Sequence, residues 1–164
     1  MGDRLAFLRS AAACLAQYIT KPRYSSILES QALLPEGAAE QWNLPFYNMA
    51  MAGECALAPL QLLDEIKRIE KELGRVDRGF WGPREIDIDI LCMDRLQMQD
   101  EALRVPHAGL LERDFALLPL CELVPEWIYP LPGMYQGMKA IDIAASKGYG
   151  FGPALQKTEH RIHG

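Results

Sequence analysis

Residues 81–91 read Trp-Gly-Pro-Arg-Glu-Ile-Asp-Ile-Asp-Ile-Leu, and this stretch contains the strongest structural signal in the chain. Branched apolar and acidic residues alternate from Ile86 to Ile90. Because side chains alternate between the two faces of a strand, the isoleucines share one face while Asp87 and Asp89 share the other. The stretch therefore predicts a β-strand with one apolar face suited to a core and one acidic face that is costly to bury.

The acidic face predicts a magnesium site. Carboxylates two residues apart on one face lie about 6.5–7 Å apart at Cβ, and they repel each other unless a cation lies between them. Mg²⁺ prefers oxygen ligands, keeps several waters and takes further ligands from substrate phosphates. Gly82-Pro83 gives the strand a rigid entry, and Arg84 places a guanidinium suited to phosphate beside the carboxylates.

An edge strand with a solvated acidic face is the alternative, and a lone Asp-x-Asp motif favours it. Here Trp81, Arg84 and both aspartates fall within nine residues, which favours the site.

The composition is that of one soluble globular domain. The chain has 164 residues, 49% hydrophobic and 24% charged, with a net charge of −5; this length allows a sizeable core. The acidic balance predicts no binding to nucleic acid or anionic membranes, and no apolar run is long enough to span a bilayer. Four widely spaced cysteines without a Cys-x-x-Cys pair predict buried, reduced thiols in a cytoplasmic protein.

Periodicity predicts the order of elements along the chain. Apolar residues recur at helical spacing from Leu5 to Ile19, with Asp3 as N-cap, and Pro59 suits the first turn of a second helix. The full set is a helix over 5–19, strands over 24–28 and 46–54, a helix over 60–73, the strand over 86–90, a short strand near 95–98 and a helix over 110–123. Residues 1–146 are predicted to form the domain, and the polar, glycine-rich residues 147–164 a poorly ordered tail or linker.

Two charged features precede the acidic strand. Glu70 falls inside the apolar stripe of the second helix, where a carboxylate is costly without a partner; a paired core position and an edge position that reaches solvent both stay open. Arg75 and Arg78 lie in a short glycine-flanked loop, which is either a solvated connection or a mobile loop that closes over phosphates.

Several motifs in order resemble the 6-hydroxymethyl-7,8-dihydropterin pyrophosphokinases of folate biosynthesis. The most specific is Trp81-Gly82-Pro83-Arg84-x-x-Asp87-x-Asp89-Ile90. The others, between about Gly2 and Pro130, are Gly2-Asp3-Arg4, Phe46-x-Asn48, Leu57-Ala58-Pro59-x-x-Leu62-Leu63, Ile69-Glu70, Gly74-Arg75, Val105-Pro106-His107 and Arg113-x-Phe115-x-x-x-Pro119-Leu120. Several such motifs in one order are more specific than any one alone.

The resemblance implies a ferredoxin-like α+β fold, with helices packed on an antiparallel sheet, and transfer of diphosphate from ATP to the hydroxymethyl group of the reduced pterin, with release of AMP. It implies that two Mg²⁺ ions are held by Asp87 and Asp89. The nucleotide would be lined by Glu70, Trp81, Arg84, Ile90, His107 and Arg113. The pterin would be contacted by Ser30, Leu33, Phe46, Asn48, Trp81 and Phe115. The transferring group would be held by the arginines Arg75, Arg78 and Arg84.

The chain departs from the family pattern in three places. The family's opening strand and its Gly-Ser-Asn are absent, because Met1 stands where the residue before Gly-Asp-Arg would be; we expect a late start or another element in the gap. Residues 28–34 replace a Tyr-x-Thr-x-Pro-x-Gly loop near the pterin, where Ser30 and Leu33 keep part of its role. The loop between Gly74 and Trp81 is shorter than the pattern, so Arg78 is not fixed as the second catalytic arginine.

Two other functions stay open. One is a different two-metal transferase, such as a nucleotidyl-transferase palm domain, although the acidic charge argues against a template-binding protein. The other is a truncated, non-catalytic nucleotide-binding or interaction domain of a multi-domain folate enzyme. The partners expected for the first function are ATP, the reduced pterin and a downstream folate enzyme, through fusion or association.

Overall fold

The computed structural model describes residues 3–31, 45–75 and 86–162. The helices in these ranges are α1 (Arg4–Leu15), α2 (Pro59–Glu72), α3 (Asp114–Leu123) and α4 (Ala140–Ser146). The strands are β1 (Ile19–Tyr24), β2 (Leu28–Ser30), β3 (Phe46–Asn48), β4 (Met51–Cys55), β5 (Met98–Gln99), β6 (Arg104–Val105) and β7 (Leu155–Lys157). None of the described helices is long and apolar enough to cross a membrane.

The described strands form three small antiparallel sheets. β1 pairs with β4, β5 pairs with β6, and β2 is the central strand of the order β3-β2-β7. Helices and antiparallel sheets in one chain confirm the predicted α+β class.

The predicted starts of the first two helices are confirmed at the level of their caps, whereas the third helix, predicted from residue 110, begins at Asp114. Asp3 Oδ1 accepts hydrogen bonds from the backbone N–H groups of Leu5 (3.0 Å) and Ala6 (3.2 Å), which are donors without a partner inside the helix. Pro59 lies in the first turn of α2, and Gly74, with φ of +85°, ends that helix in the left-handed conformation that glycine tolerates. α1 ends earlier than predicted because β1 begins at Ile19.

The predicted strands near the N-terminus were wrong in their limits. Within the predicted strand over 24–28, Tyr24 ends β1, Leu28 begins β2 and residues 25–27 connect them. The single strand predicted over 46–54 is two strands in different sheets. The break lies at Ala50, whose N–H donates to Ser25 Oγ (2.9 Å) and whose carbonyl accepts the Ser25 N–H (3.0 Å). Alternation along a chain does not reveal where a strand leaves one sheet for another.

Residues 86–90 keep the predicted alternation but do not form the predicted strand. Ile86 and Ile90 are 8% exposed, whereas the side chains of Asp87 and Asp89 are 50% and 44% exposed. Within the described ranges this segment pairs with no strand. Ile90 packs instead with Leu62 and Ile66 of α2, so burial against a helix produces the alternation without a ladder.

The tail differs from the predicted absence of order. β7 pairs with β2, Leu155 is 2% exposed, and the Thr158 N–H donates to the Ile27 carbonyl (2.9 Å). This order comes from pairing with a strand more than a hundred residues earlier, which local periodicity does not encode. A domain boundary at residue 146 stays a prediction.

Two clusters of buried side chains form the core. One lies where α3 packs on α4, and the other lies where α2 packs on Ile90, Leu103 and Val105. All four cysteines are free, and Cys121 is buried in the first cluster. A cleft opens between the elements that carry the two clusters.

Candidate active site

Two cavities meet at residues 87–89. The larger has a volume of about 1560 Å³, a mostly apolar lining, and walls from α1, β3, β4, α3 and residues 86–94. The smaller has a volume of about 770 Å³ and lies against the C-terminal half of α2. The side chains that line both are Ile66, Asp87, Ile88, Asp89, His107 and Arg113.

The acidic pair is accessible from both cavities, and a basic side chain lies near each carboxylate. Arg75 Nη1 lies 3.2 Å from Asp87 Oδ1, and His107 Nε2 lies 3.8 Å from Asp89 Oδ2. Because the isoleucines beside them are buried in the core, the backbone directs both aspartates toward the junction of the cavities.

Glu70 is a buried carboxylate with two partners. Its Oε1 accepts the backbone N–H of Ile88 (2.8 Å), and its Oε2 forms an ion pair with Arg75. Burial raises the pKa of Glu70 above its ordinary value, while the Ile88 N–H and the Arg75 guanidinium oppose that rise. Of the two positions left open by the helical projection, the structure shows the paired, buried one.

His107 is held in a defined orientation beside Asp89. Its backbone N–H donates to the Leu91 carbonyl (2.8 Å), which ties the loop to the acidic segment. Its Nδ1 accepts the Gly109 N–H (3.0 Å). In the neutral imidazole the proton therefore lies on Nε2, the nitrogen that faces Asp89.

Arg113 lies at the start of α3 and reaches both cavities. Its guanidinium carbon is 6.0 Å from the centroid of the Phe115 ring, within the range of a cation–π interaction. The side chain passes directly over Gly109, where a Cβ atom would lie only 2.9 Å from Arg113 Nε.

The larger cavity has a polar corner formed by paired strands. Asn48 on β3 donates from Nδ2 to Ser30 Oγ on β2 (2.8 Å), and Ser30 is 6% exposed. Phe46, two residues before Asn48, is 40% exposed, and Phe115 on α3 lines the same cavity. The corner thus combines an amide, a hydroxyl and two aromatic rings.

Comparison with known proteins decides the family. The sequence profile of the 7,8-dihydro-6-hydroxymethylpterin-pyrophosphokinase family matches residues 1–125. This chain belongs to that family. The match includes Asp87, Asp89 and every side chain described above for the two cavities.

Relatives of two kinds are similar to this chain. A protein of Aquifex aeolicus named 2-amino-4-hydroxy-6-hydroxymethyldihydropteridine pyrophosphokinase is 39% identical over 131 residues, which cover 80% of this chain and 79% of that protein. A protein of Bacillus subtilis with the same name is 41% identical over 125 residues, covering 75% and 72%. The folate synthesis bifunctional protein of Chlamydia caviae is 39% identical over 142 residues, covering 85% of this chain but 32% of that protein.

The structure brings together most of the residues that the family resemblance predicted. Those that line one or both cavities are Ser30, Phe46, Asn48, Glu70, Arg75, Asp87, Asp89, Ile90, His107, Arg113 and Phe115. Ile90 lines only the larger cavity and is otherwise a core residue. Leu33, Arg78, Trp81 and Arg84 lie outside the described residues. The roles of all of these side chains stay predictions.

Two lysines of the smaller cavity were missed by sequence reasoning. Lys67 and Lys71 line it together with Arg75 and Arg113. The sequence does place both lysines close to Glu70 on α2. Lys67 and Lys71 are four residues apart, so they lie on the same face of the helix. Alone, a lysine pair on a helix is an ordinary solvated feature, so only the position of Glu70 made it informative.

Proposed function

We propose that this chain transfers diphosphate from ATP to the hydroxymethyl group of 6-hydroxymethyl-7,8-dihydropterin in folate synthesis and releases AMP. The family and the names of its relatives support this reaction. The observation that carries it at the site is the position of Asp87 and Asp89 where a basic cavity meets a larger aromatic one. Each substrate then has its own cavity, and the reacting groups meet at the carboxylates.

The residues at this junction fit magnesium. Asp87 and Asp89 offer oxygen ligands, and their side chains are half-exposed. In the described part of the chain no three histidine, cysteine, aspartate or glutamate side chains could hold a metal ion together. This suits Mg²⁺, which completes its coordination with water and substrate phosphates. We propose two ions, which when bound would neutralise and orient the polyphosphate.

The smaller cavity suits a nucleotide. Lys67, Lys71, Arg75 and Arg113 place positive charge around it, and His107 directs its Nε2 toward it. Cations and an N–H donor stabilise the negative oxygens of a polyphosphate. We assign the ATP-binding roles predicted for Trp81, Arg84, His107 and Arg113 to this side of the acidic pair. Glu70 lines the same cavity, whereas Ile90, which was also predicted to bind ATP, lines only the larger one.

The polar corner of the larger cavity suits a pterin. Asn48 offers a further N–H and its Oδ1 to the ring edge, and that oxygen accepts no hydrogen bond from the described residues. Phe46 and Phe115 supply apolar faces for a flat ring. Ser30 orients the amide of Asn48, and Leu33 and Trp81 keep their predicted contacts with the pterin.

The reaction needs positioning more than covalent chemistry by the protein. The substrate hydroxyl oxygen bonds to the β-phosphorus of ATP, the bond from that phosphorus to the α–β bridging oxygen breaks, and AMP leaves. Such transfers depend on alignment and on neutralising charge. Arg75 contributes a guanidinium beside Asp87, and Arg78 and Arg84 are proposed to act with it. We assign no general base, and the hydroxyl proton passes to solvent.

We also propose that the fold is ferredoxin-like and that residues 86–90 pair with a strand outside the described residues. Two observations support this: the segment has strand-like alternation but belongs to none of the described sheets, and an apolar cavity lies beside it. Hydrogen exchange on protein purified from its native source tests the proposal. Protected amides at 86–90 are expected, and fast exchange there would contradict it.

A cytoplasmic location and fusion to, or association with, a downstream folate enzyme are further proposals. The folate synthesis bifunctional protein of Chlamydia caviae, of which this chain spans 32%, supports fusion or association. Co-purification of tagged protein with another folate enzyme from its native source tests it.

One assay separates the functions that stay open. The protein is incubated with ATP, Mg²⁺ and 6-hydroxymethyl-7,8-dihydropterin, and AMP is measured. We expect AMP that depends on the pterin. ATP binding without AMP would instead indicate the non-catalytic nucleotide-binding domain.

Replacing one carboxylate tests the metal site. We expect Asp89→Ala to lower turnover roughly a thousandfold, because a lost metal ligand removes several kcal/mol of charge stabilisation. The melting temperature should stay close to that of the wild type, since the side chain is 44% exposed. Asp64→Ala, an exposed aspartate on α2, is the matched control. Near wild-type turnover by Asp89→Ala would rule out the metal assignment.

A further inference from the structure

Glu70 links α2 directly to the peptide between the two aspartates. Its Oε1 accepts the N–H of Ile88 at 2.8 Å. Its Oε2 pairs with Arg75, and the same guanidinium reaches Asp87 Oδ1 at 3.2 Å. One carboxylate therefore contacts the backbone of the acidic segment and, through Arg75, one of its side chains.

The carboxylate of Glu70 has little surface to offer a ligand. Its side chain is 6% exposed, and each oxygen already has a partner within the protein. A direct contact with the nucleotide, which the family resemblance implied, would have to reach a carboxylate that is almost fully buried. Such a contact would require the surrounding side chains to move.

Two hydrogen bonds from neighbouring elements hold the backbone of the acidic segment. Glu70 accepts the N–H at Ile88, and His107 donates its N–H to the Leu91 carbonyl (2.8 Å). Without this acceptor the part-buried Ile88 N–H would turn toward another partner, and both flanking aspartates would move with it.

We propose that Glu70 is a positioning residue that orients Asp87 and Asp89 toward the metal, and that it acts through the Ile88 N–H rather than through the nucleotide. This rests on the proposed function, because it assigns metal binding to the aspartates. Groups that orient metal ligands by hydrogen bonds have large effects: their loss typically costs about 10–100-fold in metal affinity or activity.

Two neutral variants of similar size isolate the hydrogen bond. Glu70→Gln retains an oxygen that can accept the Ile88 N–H, whereas Glu70→Met fills the space without an equivalent acceptor. The affinity for α,β-methylene-ATP, which the protein cannot use for this transfer, is measured by calorimetry with Mn²⁺ and again with EDTA. The ratio of the two affinities reports how well the protein couples nucleotide to metal, and it requires no turnover.

We expect Mn²⁺ to increase the affinity for the analogue by the same factor in the wild type and in Glu70→Gln. In Glu70→Met that factor should be about ten times smaller. In turnover assays Glu70→Met should lower kcat while the KM for the pterin is unchanged. Glu72→Met is the matched control, because Glu72 is exposed on the same helix and pairs with Arg68.

Three results would overturn the proposal alone: a full Mn²⁺ gain in Glu70→Met, an equal loss in Glu70→Gln, or a loss in Glu70→Met that is the same in Mn²⁺ and EDTA. The third would indicate a direct nucleotide contact. A wild-type affinity that does not respond to Mn²⁺ would overturn the metal site of the proposed function as well.

Discussion

The Arg113 side chain occupies the space that a side chain at position 109 would fill, and Gly109 leaves that space free. A Cβ atom at that position would lie 2.9 Å from Nε of Arg113, closer than such atoms approach in proteins, and only 3.1 Å from Cζ. The arginine side chain would have to shift, which would disturb its contact with the Phe115 ring and its position at the two cavities. Glycine here provides space for a neighbouring side chain, not an unusual backbone conformation.

We therefore expect Gly109→Ala to change substrate binding more than stability. Displacing a flexible arginine costs little, so the free energy of unfolding should change by less than about 1 kcal/mol. The KM for ATP should rise roughly fivefold to tenfold if Arg113 contacts the nucleotide. Chemical denaturation and steady-state kinetics measure the two quantities. Gly150→Ala, where a Cβ would meet nothing within 4 Å, is the control; an unchanged KM in Gly109→Ala would argue against the role of Arg113.

Single residues of the site were predicted unequally from sequence. Alternation correctly predicted that Asp87 and Asp89 are exposed while Ile86 and Ile90 are buried, because burial of alternate positions depends only on local pattern. Glu70 was located within the apolar stripe, but its partner could not be predicted, since Ile88 lies eighteen residues away and bonds through its backbone. Lys67 and Lys71 differ from ordinary solvated lysines only by their place beside Glu70 on α2, so their role depended on locating Glu70 first.

At the scale of elements, the helices were predicted better than the strands. α2 is confirmed within one residue at each end, because its cap, stripe and terminating glycine are all local signals. β3 and β4 were predicted as one strand, and β7 was not predicted at all. Strands depend on partners distant in sequence, and β7 is held by β2 and by groups on α3 that its own sequence does not specify.

Glu122 connects α3 to both of those strands. Its Oε2 accepts the Ser26 N–H (2.7 Å) just before β2, and its Oε1 pairs with Lys157 on β7. Partial burial raises the pKa of Glu122, but the Lys157 ammonium and hydrogen bonds from Ser26 outweigh burial and lower the pKa below its ordinary value of 4.5. The folded state therefore favours the ionised carboxylate.

This lowered pKa predicts a dependence of stability on pH. The unfolded chain binds the proton more readily than the folded one, so the contribution of Glu122 is complete above the ordinary pKa and is lost as pH falls through the lower folded pKa. Glu122→Gln should lower the free energy of unfolding by roughly 1 kcal/mol at pH 7. That difference should shrink as the pH falls below 4.5. Urea titrations across pH, with exposed Glu101→Gln as control, measure it; a difference that stays constant with pH would contradict the assignment.

At the scale of the whole molecule, the site lies between separate parts of the core. One buried cluster joins α3 and α4, the other joins α2 to Ile90 and to β5 and β6, and the larger cavity lies between these elements. Its volume of about 1560 Å³ exceeds the roughly 300–1,000 Å³ of most ligand sites. Substrates that fill it would contact elements from both halves of the chain, and so should stabilise the fold as a whole.

We expect Mg²⁺ with α,β-methylene-ATP to raise the melting temperature. A ligand at a hundred times its Kd stabilises the folded state by about 2.7 kcal/mol, which corresponds to roughly 5–10 °C for a chain of this length. The pterin should add a further increase, because it contacts the other cavity. Thermal unfolding followed by circular dichroism measures both effects.

In Asp89→Ala the increase due to Mg²⁺ should disappear while the increase due to the pterin alone remains, since Asn48 and the phenylalanines are intact. The nucleotide could instead raise the melting temperature equally in Mg²⁺ and in EDTA. Its binding would then not depend on metal held by Asp87 and Asp89, and the two cavities would not form one site.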